Sequence, residues 1–217
     1  MSIADKIMTI RNKLDDALNH CNEALTERNI ETANTIYDVG NKIKSMVVDN
    51  TVRNSIIEGT ITEFNDEKVS FINECMFNEC SLLTTINLPA CTSVYTSAFA
   101  NCSSLTIINL PACTTIGNSA FKSCTSLTSA NLPICSYIGY SAFYNCTSLL
   151  AIILAYSSVV SIDNSYAFYN TPLSQSTYTG TFGSIYVPAS LVDAYKTANY
   201  WSVYADRITA MEVLNNE

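Results

Sequence analysis

Nine cysteines and thirteen tyrosines are the side chains in this 217-residue chain with most chemistry to offer. Thiols can pair as disulfides, ligate zinc, or act as nucleophiles beside a histidine. Their spacing argues against all three. Cys80, Cys102, Cys124 and Cys146 lie 22 residues apart, and Cys91, Cys113 and Cys135 repeat that step at an offset of 11. Residues one period apart occupy equivalent sites on successive coils, about 4.8 Å apart across a parallel ladder. Their Cβ vectors then run parallel, whereas a disulfide needs them to converge. Zinc needs four ligands around a point, and the chain has no CxxC pair and one histidine, His20. That histidine reads as a solvated helix residue, far in sequence from the cysteine columns. The column cysteines are therefore expected as free, small apolar residues inside the coil. No catalytic residue, metal or cofactor is expected.

The tyrosines point to binding instead. Tyr95, Tyr137, Tyr140, Tyr144, Tyr156, Tyr166 and Tyr169 fall at variable positions of a repeated unit. Varied residues on a constant frame are where a repeat protein places its binding surface. Tyr with Ser, Asn and Gly is also the composition of adaptable paratopes. The plainer alternative is that these rings fill gaps between coils.

The frame is legible in the rows Phe77-NEC-SLLTTIN-Leu88-Pro89, Phe99-ANC-SSLTIIN-Leu110-Pro111 and Phe121-KSC-TSLTSAN-Leu132-Pro133. A fourth row runs from Phe143 to Leu154. A fixed period of about 20 to 29 residues with leucines at set offsets marks a solenoid, whose units bury their apolar faces by stacking. Each unit reads as one short strand ended by proline, which cannot donate to a ladder. Val94, Ile116 and Ile138 follow as inward aliphatics, Gly117 and Gly139 as turn residues, and Ala-Phe pairs as the far corner. Asn87, Asn109 and Asn131 form a column expected to bond along the stack. A degenerate first repeat puts Ile61 and Phe64 on the leucine columns and Ile72 on the Val94 column. Near Tyr156 to Asn164 about three residues are inserted, since Phe143 and Phe168 are 25 apart.

Flanking segments read differently. Ile3, Ile7, Ile10 and Leu14 begin a 4-3 apolar spacing over residues 3–27, and a second helix is expected over 32–48. The pair forms either a helical hairpin or a coiled coil joining chains, and isoleucine at both seam positions favours trimers or tetramers. At the other end, 171–183 reads as a loop, Ile185 to Pro188 as a last strand and Ala189 to Asp206 as a closing helix. The expected fold is an α+β repeat protein: a solenoid of short parallel strands with an N-terminal helical module and a C-terminal strand-helix cap. The expected divisions are 1–48 for attachment or oligomerisation, 55–183 for the solenoid and 184–217 for the cap.

Charge excludes whole classes of partner. The formal net charge is −8, which argues against nucleic acid and anionic membranes. Residues 1–76 hold thirteen acidic and eight basic groups, yet Lys122 is the only charged residue from Cys80 to Ile162. No run of about 18 apolar residues exists, so no membrane span is expected. The N-terminus carries charge where a signal peptide needs an apolar stretch, so no secretory signal is expected either.

The unit Ile116-GNS-Ala120-Phe121-KS-Cys124-TS-Leu127-TSAN-Leu132-Pro133 resembles the BspA-like class of leucine-rich repeats. The segment from Ile185 to Ile208 is similar to the closing segment of such arrays. The resemblance implies surface recognition by bacteria, their phages or protists, without an active site. The helical N-terminus resembles segments of phage tail-associated proteins, which reach the outside by lysis. A non-enzymatic recognition or structural protein, binding a protein or glycan surface from a virion or bacterial surface, is the leading expectation. The alternatives are an enzyme with a site at the 156–183 insertion, where Asp163 is the one titratable acid, and a purely architectural spacer.

Overall fold

The computed structural model describes residue 56 and residues 58–174 and 180–211. The expected helices over 3–27 and 32–48, with Ile3, Ile7, Ile10, Leu14 and His20, lie outside the described residues.

Every repeat forms a coil that contributes a strand to each of two parallel sheets. The first sheet holds β1 (Glu63–Asn65), β3 (Thr85–Asn87), β5 (Ile107–Asn109), β7 (Ser129–Asn131), β9 (Ala151–Ile153), β11 (Ser184–Val187) and β12 (Ile208–Ala210), in that order. The second runs β2 (Phe71–Ile72), β4 (Ser93–Val94), β6 (Thr115–Ile116), β8 (Tyr137–Ile138) and β10 (Ser161–Ile162). The period sets the register: Ile86 lies opposite Ile108 and Val94 opposite Ile116. In β1, β5 and β7 only the middle residue is buried, so one inward side chain per strand suffices.

The threonine and serine columns explain the unusual composition. Thr84 and Thr106 hydroxyls donate to the Thr62 and Thr84 carbonyls one coil back, at 2.9 and 3.0 Å. Thr92, Thr114 and Ser136 do the same at the second sheet. Asn109 donates its amide to Asn87, so those members of the asparagine column bond along the stack.

Phenylalanine forms the axis of the core. The rings of Phe77, Phe99, Phe121, Phe143 and Phe168 stack in sequence, with centroids 5.0 to 5.5 Å apart and planes within 10°. Offset stacking of this kind adds about 0.5–1.5 kcal/mol per pair beyond burial. All five are fully buried.

Backbone hydrogen bonds differ between the two sides of the coil. At the first sheet they run both ways, Thr106 N–H to the Thr84 carbonyl one coil back and Leu88 N–H to the Asn109 carbonyl one coil on. At the phenylalanine corner each coil donates forward: Phe99 N–H to Ala120, Phe121 N–H to Ala142, Phe143 N–H to Ala167. Two columns of left-handed residues flank it, and the N–H groups of Ser97, Ser119, Asn101, Ser123 and Asn145 also donate forward. Ser97, Ser119 and Ser141 form one, with Asn101, Ser123, Asn145 and Asn170 in the other, all at φ between 53° and 62°.

Several expectations need correction. Gly117 and Gly139 do not have positive φ. They are glycines because a Cβ at Gly117 would lie 2.8 Å from the Tyr95 carbonyl carbon, and one at Gly139 equally close to the Asn118 nitrogen. The segment around them is a second strand rather than a plain turn. Phe64 lies opposite Ile86, not on the Leu88 column. The strand at Ile185 is not the last, because β12 pairs outside it. No single helix spans Ala189–Asp206. The chain forms a 3-10 turn (Ala189–Leu191), a short α1 (Val192–Thr197) and a second 3-10 segment (Ser202–Arg207). Ala198 is extended and Tyr200 left-handed, which breaks the helix between them.

The cap closes the array with aromatic side chains. Tyr195, Trp201 and Tyr204 are buried. Trp201 and Tyr204 pack against Phe168, the end of the ring stack. Trp201 Nε1–H donates to the Val160 carbonyl at 2.7 Å, and the Tyr195 hydroxyl accepts from Val160 N–H at 3.0 Å. The Trp201 bond takes the place of the one that the next coil's Ser161 N–H makes to the Ser136 carbonyl.

Candidate functional site: a tyrosine and asparagine corner

The cysteines are structural. The eight cysteines among the described residues are free, and all but Cys75 are buried. The two columns differ in their bonding. Cys102, Cys124 and Cys146 thiols donate across coils to the carbonyls of Phe77, Phe99 and Phe121 at 3.0 to 3.1 Å. Cys91, Cys113 and Cys135 donate within their own coil to Ser93, Thr115 and Tyr137. Burial pushes Cys102, Cys113 and Cys146 up to about 12 and Cys135 to about 11, so none is a poised nucleophile. Thr171 takes the next place in the first column, and its hydroxyl donates to the Phe168 carbonyl. No group of three or more metal-ligating residues converges among the described residues.

Four of the seven expected tyrosines meet. Tyr144 and Tyr169 stack with centroids 5.3 Å apart and planes 11° from parallel. Tyr166 tilts against Tyr169 at 5.5 Å and against Tyr140 at 6.1 Å. Tyr140 and Tyr166 remain 47% and 46% exposed, so each offers a large part of its surface to solvent. The ladder bonds of Ser123 N–H to Tyr144 and Asn145 N–H to Tyr169 place Lys122, Tyr144 and Tyr169 at equivalent sites on three successive coils. The Lys122 ammonium sits 5.6 Å from the Tyr144 ring centroid, a cation–π distance.

The other three stand apart. Tyr95 is exposed and meets Phe71 edge-on at 6.1 Å. Tyr137, in β8, donates its hydroxyl to Asp163 Oδ2 at 2.6 Å. That bond, with burial and the carboxylate charge, pushes the phenol up to about 12. Tyr156 is partly buried and packs against the core.

Sequence reasoning missed the amides beside the tyrosines. Asn170 Nδ2 donates to Asn145 Oδ1 at 2.7 Å, and Asn145 Nδ2 donates to Ser123 Oγ at 3.3 Å. Asn145 and Asn170 directly follow Tyr144 and Tyr169, so shifting the motif by its local period would have aligned them.

Parallel strands stacked in two sheets around one aliphatic and phenylalanine core define a leucine-rich-repeat solenoid. The chain belongs to the BspA-type leucine-rich repeat family: residues 55–175 match the BspA type leucine rich repeat region in six copies. Among solved structures, it is similar to a leucine-rich repeat protein of T. pallidum, with 22% identity over 60% of this chain and 62% of that one and a TM-score of 0.48. A leucine-rich repeat protein of Bacteroides ovatus shares 21% identity over 70% of this chain and 43% of the other, with a TM-score of 0.47. The pneumococcal vaccine antigen PcpA shares 17% over 69% and 40%, with a TM-score of 0.41. The chain thus spans less than two thirds of each of these proteins. No curated protein matches it. No helix among the described residues is long and apolar enough to cross a membrane.

Proposed function

We propose that the chain is a non-enzymatic recognition protein that presents its tyrosine corner to a protein or glycan surface. The carrying observation is the contact of Tyr140, Tyr166, Tyr169 and Tyr144 where the period is broken. Pure gap-filling would bury these rings, yet two of them stay nearly half exposed. Rigid tyrosines supply amphipathic contact area at low conformational cost. The periodic core beneath holds them without rearrangement.

An enzymatic site at 156–183 has no support from the geometry of its one acid. Asp163 accepts a hydrogen bond from Tyr137, and the phenol is pushed up, away from the range of a useful base. Residues 1–48 attach or oligomerise the chain, with Ile3, Ile7, Ile10 and Leu14 as the seam of a trimer. A phage tail or bacterial surface is the setting that fits this division of labour.

The test is binding of the full chain across bacterial surface proteins and surface glycans, immobilised side by side. The wild type is expected to bind at least one class, and the double substitution Tyr140→Ser/Tyr166→Ser to lose that binding while keeping its circular dichroism. The single substitution Ile107→Ser, on the outer face of the first sheet, is expected to bind as the wild type does. Undiminished binding by the double variant would remove the tyrosine corner from the function.

A further inference from the structure

Resting on that reading, we propose that the ligand of the corner is a neutral, extended, β-linked glycan lying along the stack direction. Four observations converge on this class.

The corner offers two kinds of group side by side. Tyr144 and Tyr169 form a phenol column, and Asn145 and Asn170 an amide column one residue away. An amide has two donor hydrogens and a carbonyl with two lone pairs. The ladder bond from Asn170 to Asn145 uses one hydrogen of the first and one lone pair of the second. Donors and acceptors remain in adjacent pairs, the arrangement that vicinal sugar hydroxyls complement. The tilted, exposed rings of Tyr140 and Tyr166 border the column. Their faces suit the C–H face of a pyranose.

Charge points the same way. Lys122 is the only charged residue from Cys80 to Ile162, and Asp163, just beyond, is engaged by Tyr137. The ammonium of Lys122 lies over Tyr144. A ligand here is held by hydrogen bonds and ring contacts, so it needs no charge of its own.

The step along the corner selects the form of the ligand. Equivalent rings are 5.3 Å apart. That is close to the advance of one pyranose in an extended β-linked chain, so successive sugars meet successive rungs. An extended peptide advances about 3.3 Å per residue and falls out of step. An α-linked chain that coils leaves the row after a unit or two. The corner therefore reads a straight chain of sugars in preference to a strand of protein.

Isothermal titration of the full chain with cellohexaose, chitohexaose, cellobiose and maltohexaose tests this. Binding of at least one β-linked hexasaccharide is expected, with cellobiose, which spans the two rungs, retaining part of it, maltohexaose much weaker, and no loss at high salt. Tyr169→Ala and Asn145→Ala, each still folded by circular dichroism, are expected to bind about tenfold more weakly, the effect of losing one anchoring group. Failure of all four sugars, with the surface-protein panel still bound through Tyr140 and Tyr166, would overturn the glycan proposal and leave recognition standing. Failure of every sugar and every surface protein would overturn both. Sugar binding that falls steeply with salt, or that Tyr169→Ala leaves intact, would overturn the ligand class or its place.

Discussion

The Tyr204 hydroxyl accepts a hydrogen bond from Phe168 N–H at 3.3 Å, the place that the Ala167 carbonyl takes for Phe143 one coil earlier. It also donates to the Ser165 carbonyl at 2.6 Å. One phenol thus stands in for part of a missing coil. Tyr204→Phe keeps the ring against Phe168 but leaves the buried Phe168 N–H unpaired. A loss of about 1–3 kcal/mol in urea unfolding is expected. An unchanged midpoint would mean that the cap works through packing alone.

Two neighbouring positions should respond in opposite directions. Ser119 has φ 54°, a conformation that glycine adopts freely and other L-residues do not. Ser119→Gly should stabilise by about 0.5–1 kcal/mol. Gly117→Ala pushes a methyl against the Tyr95 backbone and should cost about 1–3 kcal/mol. Thermal unfolding of both variants checks the pair, and a gain from Gly117→Ala would contradict the close approach of the coils.

Mid-array leucines should be costly to truncate. Leu110 and Leu132 are fully buried. Either change to alanine should destabilise by about 2–5 kcal/mol through lost transfer energy and an unfilled cavity. A loss well under 1 kcal/mol at both sites in denaturant titration would contradict their burial.

The thiols make stability fall in alkali. In the unfolded chain a cysteine ionises near pH 8.5. In the fold, burial holds Cys102, Cys113 and Cys146 neutral to about 12. Their stabilising contribution is therefore complete below the unfolded value and lost as pH rises toward 12, because the unfolded state sheds the protons first. Urea midpoints should decline from pH 8 upward, less steeply in Cys113→Ala. Among the described cysteines, native labelling should reach exposed Cys75 first and the columns only on unfolding. Rapid native modification of Cys113 would sink this account.

Much of the solenoid was legible because the 22-residue period does most of the specifying. Ile72 opposite Val94, the buried cysteine columns and the proline-ended strands all follow from aligning the sequence with itself. The second sheet was not legible. Its strands are two residues long, too short for an alternation to register. The left-handed serines were also hidden, since Ser97, Ser119 and Ser141 give no glycine signal. The cap read as one helix because Tyr195, Trp201 and Tyr204 are all apolar and correctly inward, while the break at Ala198 and Tyr200 lies in residues with no strong breaker. The tyrosine corner was half legible. Composition singled out the rings, but their meeting needs successive coils in register across an uneven 25-residue step, with Tyr166 against Tyr140 and Tyr169 over Tyr144.

The uniform step of the phenylalanine stack turns the array into a graduated ruler. Each whole repeat moves everything beyond it by one strand spacing, about 4.8 Å, and leaves its shape alone. Duplicating the unit Phe99 to Ala120 would carry the tyrosine corner one mark farther from the first coil with the corner itself intact. Distance along this protein is thus inherited in integers. The residues inserted before Phe168 leave the scale intact, because Phe168 still stacks on Phe143 at 5.5 Å and the extra residues are taken up between coils.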